Sequence, residues 1–158
     1  MAAAILALAV GLAALLVPAD PASANIYKMT QAAAESSFRA TGQIYWKSSG
    51  NCTNRYNSTC TSFSQINNHT VFGTKAFRNA SGCTITITGG TETGHKIMPY
   101  SHGNGYKVDI APTTCVNNYI TRNFRSIGGG KYKSPHGDIY FDERSNANHW
   151  DITYYDIH

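Results

Sequence analysis

A chain of 158 residues with a formal charge of +4 is long enough to bury one hydrophobic core and too short for two ordinary domains. The mild basic excess permits an anionic partner, such as bacterial cell wall or nucleic acid, without demanding one. Beyond residue 24 the sequence holds no second long apolar run, which excludes a helical membrane span from the rest of the chain.

Residues 1–24 form an Ala/Leu/Val run closed by Pro18, Asp20, Pro21 and the small triplet Ala22-Ser23-Ala24. An apolar core followed by small residues predicts a secretory signal peptide cut before Asn25, although no basic residue follows Met1. Residues 25–158 would then be a single exported domain. The leader carries one acid and no Lys or Arg, so its removal moves the formal charge from +4 to +5.

Gln31 to Arg39 contains Ala, Glu and Phe without a breaker and predicts a short helix ending before Thr41-Gly42. Gln43 to Lys47 follows as a strand. Ser48 to Thr61 is polar, rich in Asn and Ser, and bracketed by two cysteines, the pattern of a stapled loop. From Ser62 to Asn79 the apolar positions Phe63, Ile66, Val71, Phe72, Ala76 and Phe77 recur at helical spacing, with Ser62 or Ser64 as cap and Gly82 as stop. Cys83 to Thr88 alternates with period two and predicts a strand whose apolar face is Ile85 and Ile87. Tyr106 to Ile110 alternates again, and Val116 to Phe124 reads as a helix closing before Gly128-Gly129-Gly130. Asp138 to Phe141 and His149 to Tyr155 are two further strands joined by the polar loop 142–148. The expected class is α+β, a small antiparallel sheet with two or three helices.

Four cysteines downstream of an export signal are expected to pair. Of the three connectivities, Cys52–Cys60 with Cys83–Cys115 keeps local chain order. The absence of a Cys-x-x-Cys pair argues against a zinc-thiolate centre. Asn-x-Ser/Thr sequons at Asn51, Asn57, Asn68 and Asn79 would be glycosylation sites in a eukaryotic host, which implies solvent exposure there.

The chemistry concentrates in Ser101-His102-Gly103-Asn104-Gly105-Tyr106-Lys107-Val108-Asp109-Ile110. Two glycines let the chain turn sharply, so that His102 at the strand entrance and Asp109 within it converge. Lys107 shares the strand face of Asp109. His149-Trp150-Asp151 opens the last strand with His149 and Asp151 on one face. Two imidazoles and a carboxylate on rigid strands, with room left for water, are the ligand set of a catalytic zinc.

The pattern His102-x-x-Gly105-x-x-x-Asp109, followed near the C-terminus by His149-Trp150, resembles the zinc site of the D-Ala-D-Ala metallopeptidases, which share a fold with the Hedgehog signalling domain. Thr88-Gly89-Gly90-Thr91-Glu92-x-Gly94-His95 and the segment 104–110 also resemble secreted proteins of actinobacteria and fungi, a likeness covering Cys60 to Tyr154. The resemblance implies Zn2+ held by His102, Asp109 and His149. The family's general base stands three residues before the last histidine, where this chain has Asn146, which cannot take a proton. Glu143 is the expected catalytic base and Asp151 the reserve. The arginine these peptidases often place ahead of the motif is missing, and His95, Tyr106 and Lys107 are the expected substrate contacts, with Arg144 a further substitute for the arginine.

Three functions compete. The first is a zinc hydrolase cutting an amide bond in peptidoglycan peptides, secreted and monomeric, with no membrane or nucleic acid partner. The second is a non-catalytic cell-wall binder or effector on the same scaffold, favoured by Asn146. The third is a metal-free secreted ribonuclease using the two histidines and Glu143.

Overall fold

The computed structural model describes residues 25–155. The expected leader, residues 1–24, lies outside them. The chain runs β1 (Lys28–Met29), α1 (Gln31–Thr41), β2 (Ile44–Trp46), β3 (Ile66–Asn67), α2 (Asn68–Ser81), β4 (Ile85–Gly89), β5 (Lys107–Ile110), α3 (Thr114–Asn123), β6 (Arg125–Gly128), β7 (Lys131–Lys133), β8 (Ile139–Asp142) and β9 (Trp150–Thr153). The class is α+β, as expected, with three helices.

The expected small antiparallel sheet is larger and mixed. Seven strands lie in the order β2-β4-β5-β9-β8-β7-β6, and β1 pairs separately with β3. β2 and β4 are parallel, because the chain between them crosses over through α2 instead of turning back in a hairpin. The remaining neighbours are antiparallel.

Each helix starts and stops on a local signal. Thr30 caps α1 by accepting from the Ala33 amide, and Thr113 caps α3 by accepting from the Val116 amide. Gly82 ends α2 in the left-handed conformation, at φ 66°. The expected helix from Ser62 begins six residues late, at Asn68, and Asn67 takes the cap position without a side-chain capping bond, its side-chain amide donating to the Asn104 carbonyl. Phe63 and Ile66 are fully buried core residues, supplied by an extended segment and β3; their helix-like spacing reflects burial and not helix.

Two sheet faces have opposite characters. Ile87, Ile110 and Trp150 stand in cross-strand register, as do Val108, Ile152 and Tyr140, and all are buried in the core with Phe38, Val71, Val116 and Ile120 of the helices. Trp150 is anchored there by donating its indole N–H to Asn117 of α3 at 2.8 Å. The alternate residues Lys107, Asp109 and Asp151 project from the other face, which carries the polar chemistry.

Both expected disulfides form, Cys52–Cys60 and Cys83–Cys115, and no free cysteine is present among the described residues. Paired cysteines fit an oxidising compartment. Among the described residues no helix is long and apolar enough to cross a membrane. Cys83–Cys115 joins the entrance of β4 to the start of α3 across a separation of 32 residues. Replacing both cysteines by alanine is expected to cost about 4 kcal/mol of stability, against about 2.5 for the Cys52–Cys60 loop. Urea midpoints of the two double variants measure this; equal shifts would contradict the loop-length account.

The sequons correct one expectation. Asn51, Asn57 and Asn79 are exposed, but Asn68 is buried at the start of α2, accepting from the Tyr27 amide and donating to the Asn25 carbonyl. A glycan at Asn68 is incompatible with this packing.

Candidate metal centre

The site forms where β4, β5 and β9 lie side by side. In an antiparallel pair without irregularity Thr88 would face Asp109; a register shift between Ile87 and Gly89 puts Gly89 there instead. A Cβ on Gly89 would lie 2.3 Å from Asp109 Oδ2, so only glycine leaves room for this carboxylate. Gly105 has φ 77° and its Cα faces the Gln65 carbonyl so closely that a Cβ would come within 2.5 Å of that oxygen. The turn it permits starts β5 and carries His102 back over the strand.

Asp109 and Asp151 are direct cross-strand partners on the same face. Two neighbouring carboxylates repel, so the pair needs cations between and beside them. His102 supplies one: its Nε2 lies 3.2 Å from Asp109 Oδ1 and 3.4 Å from Asp151 Oδ2. Lys107 supplies the other, donating to both oxygens of Asp151 at 2.7 and 2.9 Å. Burial alone would lower the His102 pKa, but Asp109 and then Asp151 favour the imidazolium and raise it to about 10. Burial alone would raise Asp151, yet His102 and Lys107 hold its carboxyl below the usual range.

The tautomer of His102 is fixed by the Gly90 carbonyl, which can only accept, so Nδ1 donates to it at 2.7 Å. Nε2 therefore carries either the second proton or a lone pair aimed at the carboxylates. That is the arrangement in which a backbone acceptor orients an imidazole ligand.

Asp109 is 3% exposed, and among the described residues its Oδ1 accepts no hydrogen bond of good geometry. It is instead flanked by two imidazoles, His102 Nε2 at 3.2 Å and His149 Nε2 at 3.5 Å. A buried anionic oxygen left in this state fits a shared cation. His95, His102 and Asp109 offer ligand atoms all within 4.8 Å of one another. The imidazoles of His95 and His102 stack with centroids 3.8 Å apart. Two nitrogens and a carboxylate oxygen are the donor set of zinc and of neighbouring transition metals.

Glu143, six residues before His149, is brought back to it by the loop 142–148: its Oε2 lies 3.0 Å from His149 Nε2, and its carbonyl accepts from the amides of Asn146, Ala147 and Asn148. Asn146 is exposed on that turn. The other expected contacts divide. Lys107 is on the site face but committed to Asp151. Tyr106 precedes β5 and packs its ring on His69 and Tyr100, centroids 5.1 and 5.0 Å away. Arg144 is held by Asp142 at 2.5 and 2.7 Å and lies over the Trp150 ring.

His95, expected to touch substrate, stands among the candidate ligands, on the loop between β4 and β5 where no periodicity marks it. Glu92 holds that loop in place. It is 3% exposed, accepts from the amides of Ser62 and Gly90 and faces His95 Nε2 at 3.2 Å. Burial would raise its pKa, but the bonds from His95, Ser62 and Gly90 outweigh it and hold the carboxyl below the ordinary value.

Gly89→Ala is expected to push the Asp109 carboxylate off its position and lower zinc affinity at least ~10-fold, while the helical face of the sheet stays packed. Zinc titration of the variant, with far-UV circular dichroism as the control, measures it; unchanged affinity would mean that the carboxylate has room to move.

Comparison of the chain with protein-family models, with curated proteins and with solved structures gives no match.

Proposed function

We propose that this chain is a secreted zinc-dependent hydrolase that opens an amide bond in peptidoglycan peptides. The observation that carries the reading is Asp109 Oδ1, buried, without a hydrogen bond from any described residue, and flanked by the Nε2 atoms of His102 and His149. The two disulfides agree with export. The spacing His102-x-x-Gly105-x-x-x-Asp109 with His149-Trp150, and its resemblance to the D-Ala-D-Ala metallopeptidases, supports the substrate class.

His102, Asp109 and one of His149 or His95 would hold the ion. A zinc ion supplies Lewis acidity toward a carbonyl and toward water. Glu143 is the proton acceptor: its carboxylate is half-buried at the edge of the site beside the His149 imidazole, placed to take a proton from an attacking water and return it to the leaving amine. His102 is oriented by Gly90, and Glu92 fixes the loop bearing His95.

The test is metal analysis of the purified protein by mass spectrometry, followed by digestion of muropeptides with and without EDTA. About one zinc per chain and EDTA-sensitive release of new amino groups are expected. Glu143→Gln should keep the zinc and lose turnover by ~10²-fold or more. Metal-free protein that degrades RNA in EDTA would overturn the proposal in favour of the ribonuclease. Bound zinc with retention on insoluble cell wall and no cleavage would leave a binder.

A further inference from the structure

Of the nine large apolar side chains that stand exposed among the described residues, five gather on one face: Tyr56, Ile97, Met98, Tyr100 and Tyr155. Tyr56 and Ile97, 87% and 95% exposed, border one shallow cavity of about 360 Å³. Met98 and Tyr100 follow Ile97 on the same loop, and the Tyr100 ring packs on Tyr155 with centroids 4.8 Å apart. The loop is pinned at its base. The Asn104 side-chain amide donates to the carbonyls of Met98 and Pro99 at 3.0 and 3.1 Å, and Gly94 lies so close to the Tyr56 loop that a Cβ would come within 2.9 Å of Ser58 Cβ. Single exposed apolar residues are ordinary, but a group of them held outward on a tied-down backbone marks a contact surface.

The same face is basic. Lys28 donates to the Asn104 carbonyl, Arg55 donates to the Gly103 carbonyl at 2.6 Å, and Lys96 immediately precedes Ile97. Residues 36–91 and 93–108, which supply the loops of this face, contain no Asp or Glu. Glu92, the one acid lining the shallow cavity, is buried and occupied by the amides of Ser62 and Gly90. Partial burial and then the nearby Arg55 lower the Lys28 pKa, as befits a cation that faces another cation.

Charge selects the occupant. A second copy of the chain, docked on this face about a two-fold axis, would set the three cations against their own kind. An anionic lipid surface satisfies both halves of the pattern, because aliphatic tips enter the acyl region, tyrosines sit at headgroup depth and Lys and Arg meet the phosphates.

We propose that this face docks the domain on an anionic lipid bilayer, with Ile97 and Met98 inserted and Lys28, Arg55 and Lys96 against the headgroups. This replaces the expectation that no membrane is involved, and it stands independently of the hydrolase reading. Met98, Tyr100 and Tyr155 also line the cavity that borders His102, so a docked molecule holds the candidate centre beside the lipid.

The probes are vesicles of phosphatidylglycerol and vesicles of phosphatidylcholine, each sedimented with the chain beginning at Asn25, so that the apolar run 1–24 cannot partition by itself. Residues 25–155 contain the whole core and both disulfides. Binding to the anionic vesicles is expected to exceed binding to the neutral ones at least ~10-fold at low salt, and to weaken as salt rises. Ile97→Asp should lower it at least ~10-fold, and Lys28→Gln and Lys96→Gln about fivefold each, with far-UV circular dichroism unchanged. Failure to sediment with the anionic vesicles would overturn the proposal, as would binding that Ile97→Asp leaves intact. A concentration-dependent dimer that Ile97→Asp returns to monomer, without vesicle binding, would overturn it in favour of a second copy on this face.

Discussion

Asp109→Asn is expected to abolish tight zinc binding, lowering affinity by at least ~100-fold, because it removes the anionic donor placed between both imidazoles. Asparagine has the same shape, so the β4–β5 register and the space left by Gly89 are retained. The change also withdraws the larger of the two charges that hold the His102 proton, so its pKa should fall back toward the ordinary 6.5. Calorimetric zinc titration together with the imidazole NMR titration of His102 reads both effects from one sample. A variant that still binds one zinc tightly while the His102 titration drops would show that Asp109 serves only as the counter-ion of that histidine.

The second large effect is on pH. In metal-free protein His102 carries its proton up to about pH 10, and a cation at Nε2 must expel it. Zinc uptake at pH 7 is therefore expected to release about one proton, and apparent affinity to rise about tenfold per pH unit until that pKa is reached. Stability runs the other way. A folded pKa raised above 6.5 contributes stability that is complete below the unfolded value and is lost as pH climbs toward 10. Metal-free protein should thus weaken between pH 7 and 10 over the window in which zinc binds best. Zinc affinity that is flat from pH 6 to 8 would place the proton elsewhere.

Much of this was legible in residue pattern. The alternation from Cys83 to Thr88 marks β4, and the seven-residue step from His102 to Asp109 across glycines is enough to bring two site groups together. The hairpin β6–β7 was not, because Arg125 to Lys133 has no apolar alternation and its glycines read as a helix stop, whereas Gly129 and Gly130, at φ 57° and 74°, form its turn. Phe63 and Ile66 imitated a helix because core burial from an extended segment can reproduce helical spacing. Glu92 follows Gly89-Gly90-Thr91 in a stretch without periodicity. Its role depends on the amides of Ser62 and Gly90 and on His95, and the Ser62 contact, thirty residues back in the chain, has no local sequence signature. His95 likewise reaches the site only through the path of that loop.

The last strand of the sheet in space, β6, is exposed at every one of its four residues, from Arg125 to Gly128. A bare outer strand invites a second molecule to zip onto it. Here the row is short, begins with a guanidinium, is thrown out of step between Ser126 and Gly128, and is backed by Lys131 and Lys133 on the neighbouring strand. A passing copy would find mismatched spacing and like charge, so this rim guards the molecule against self-association at high concentration.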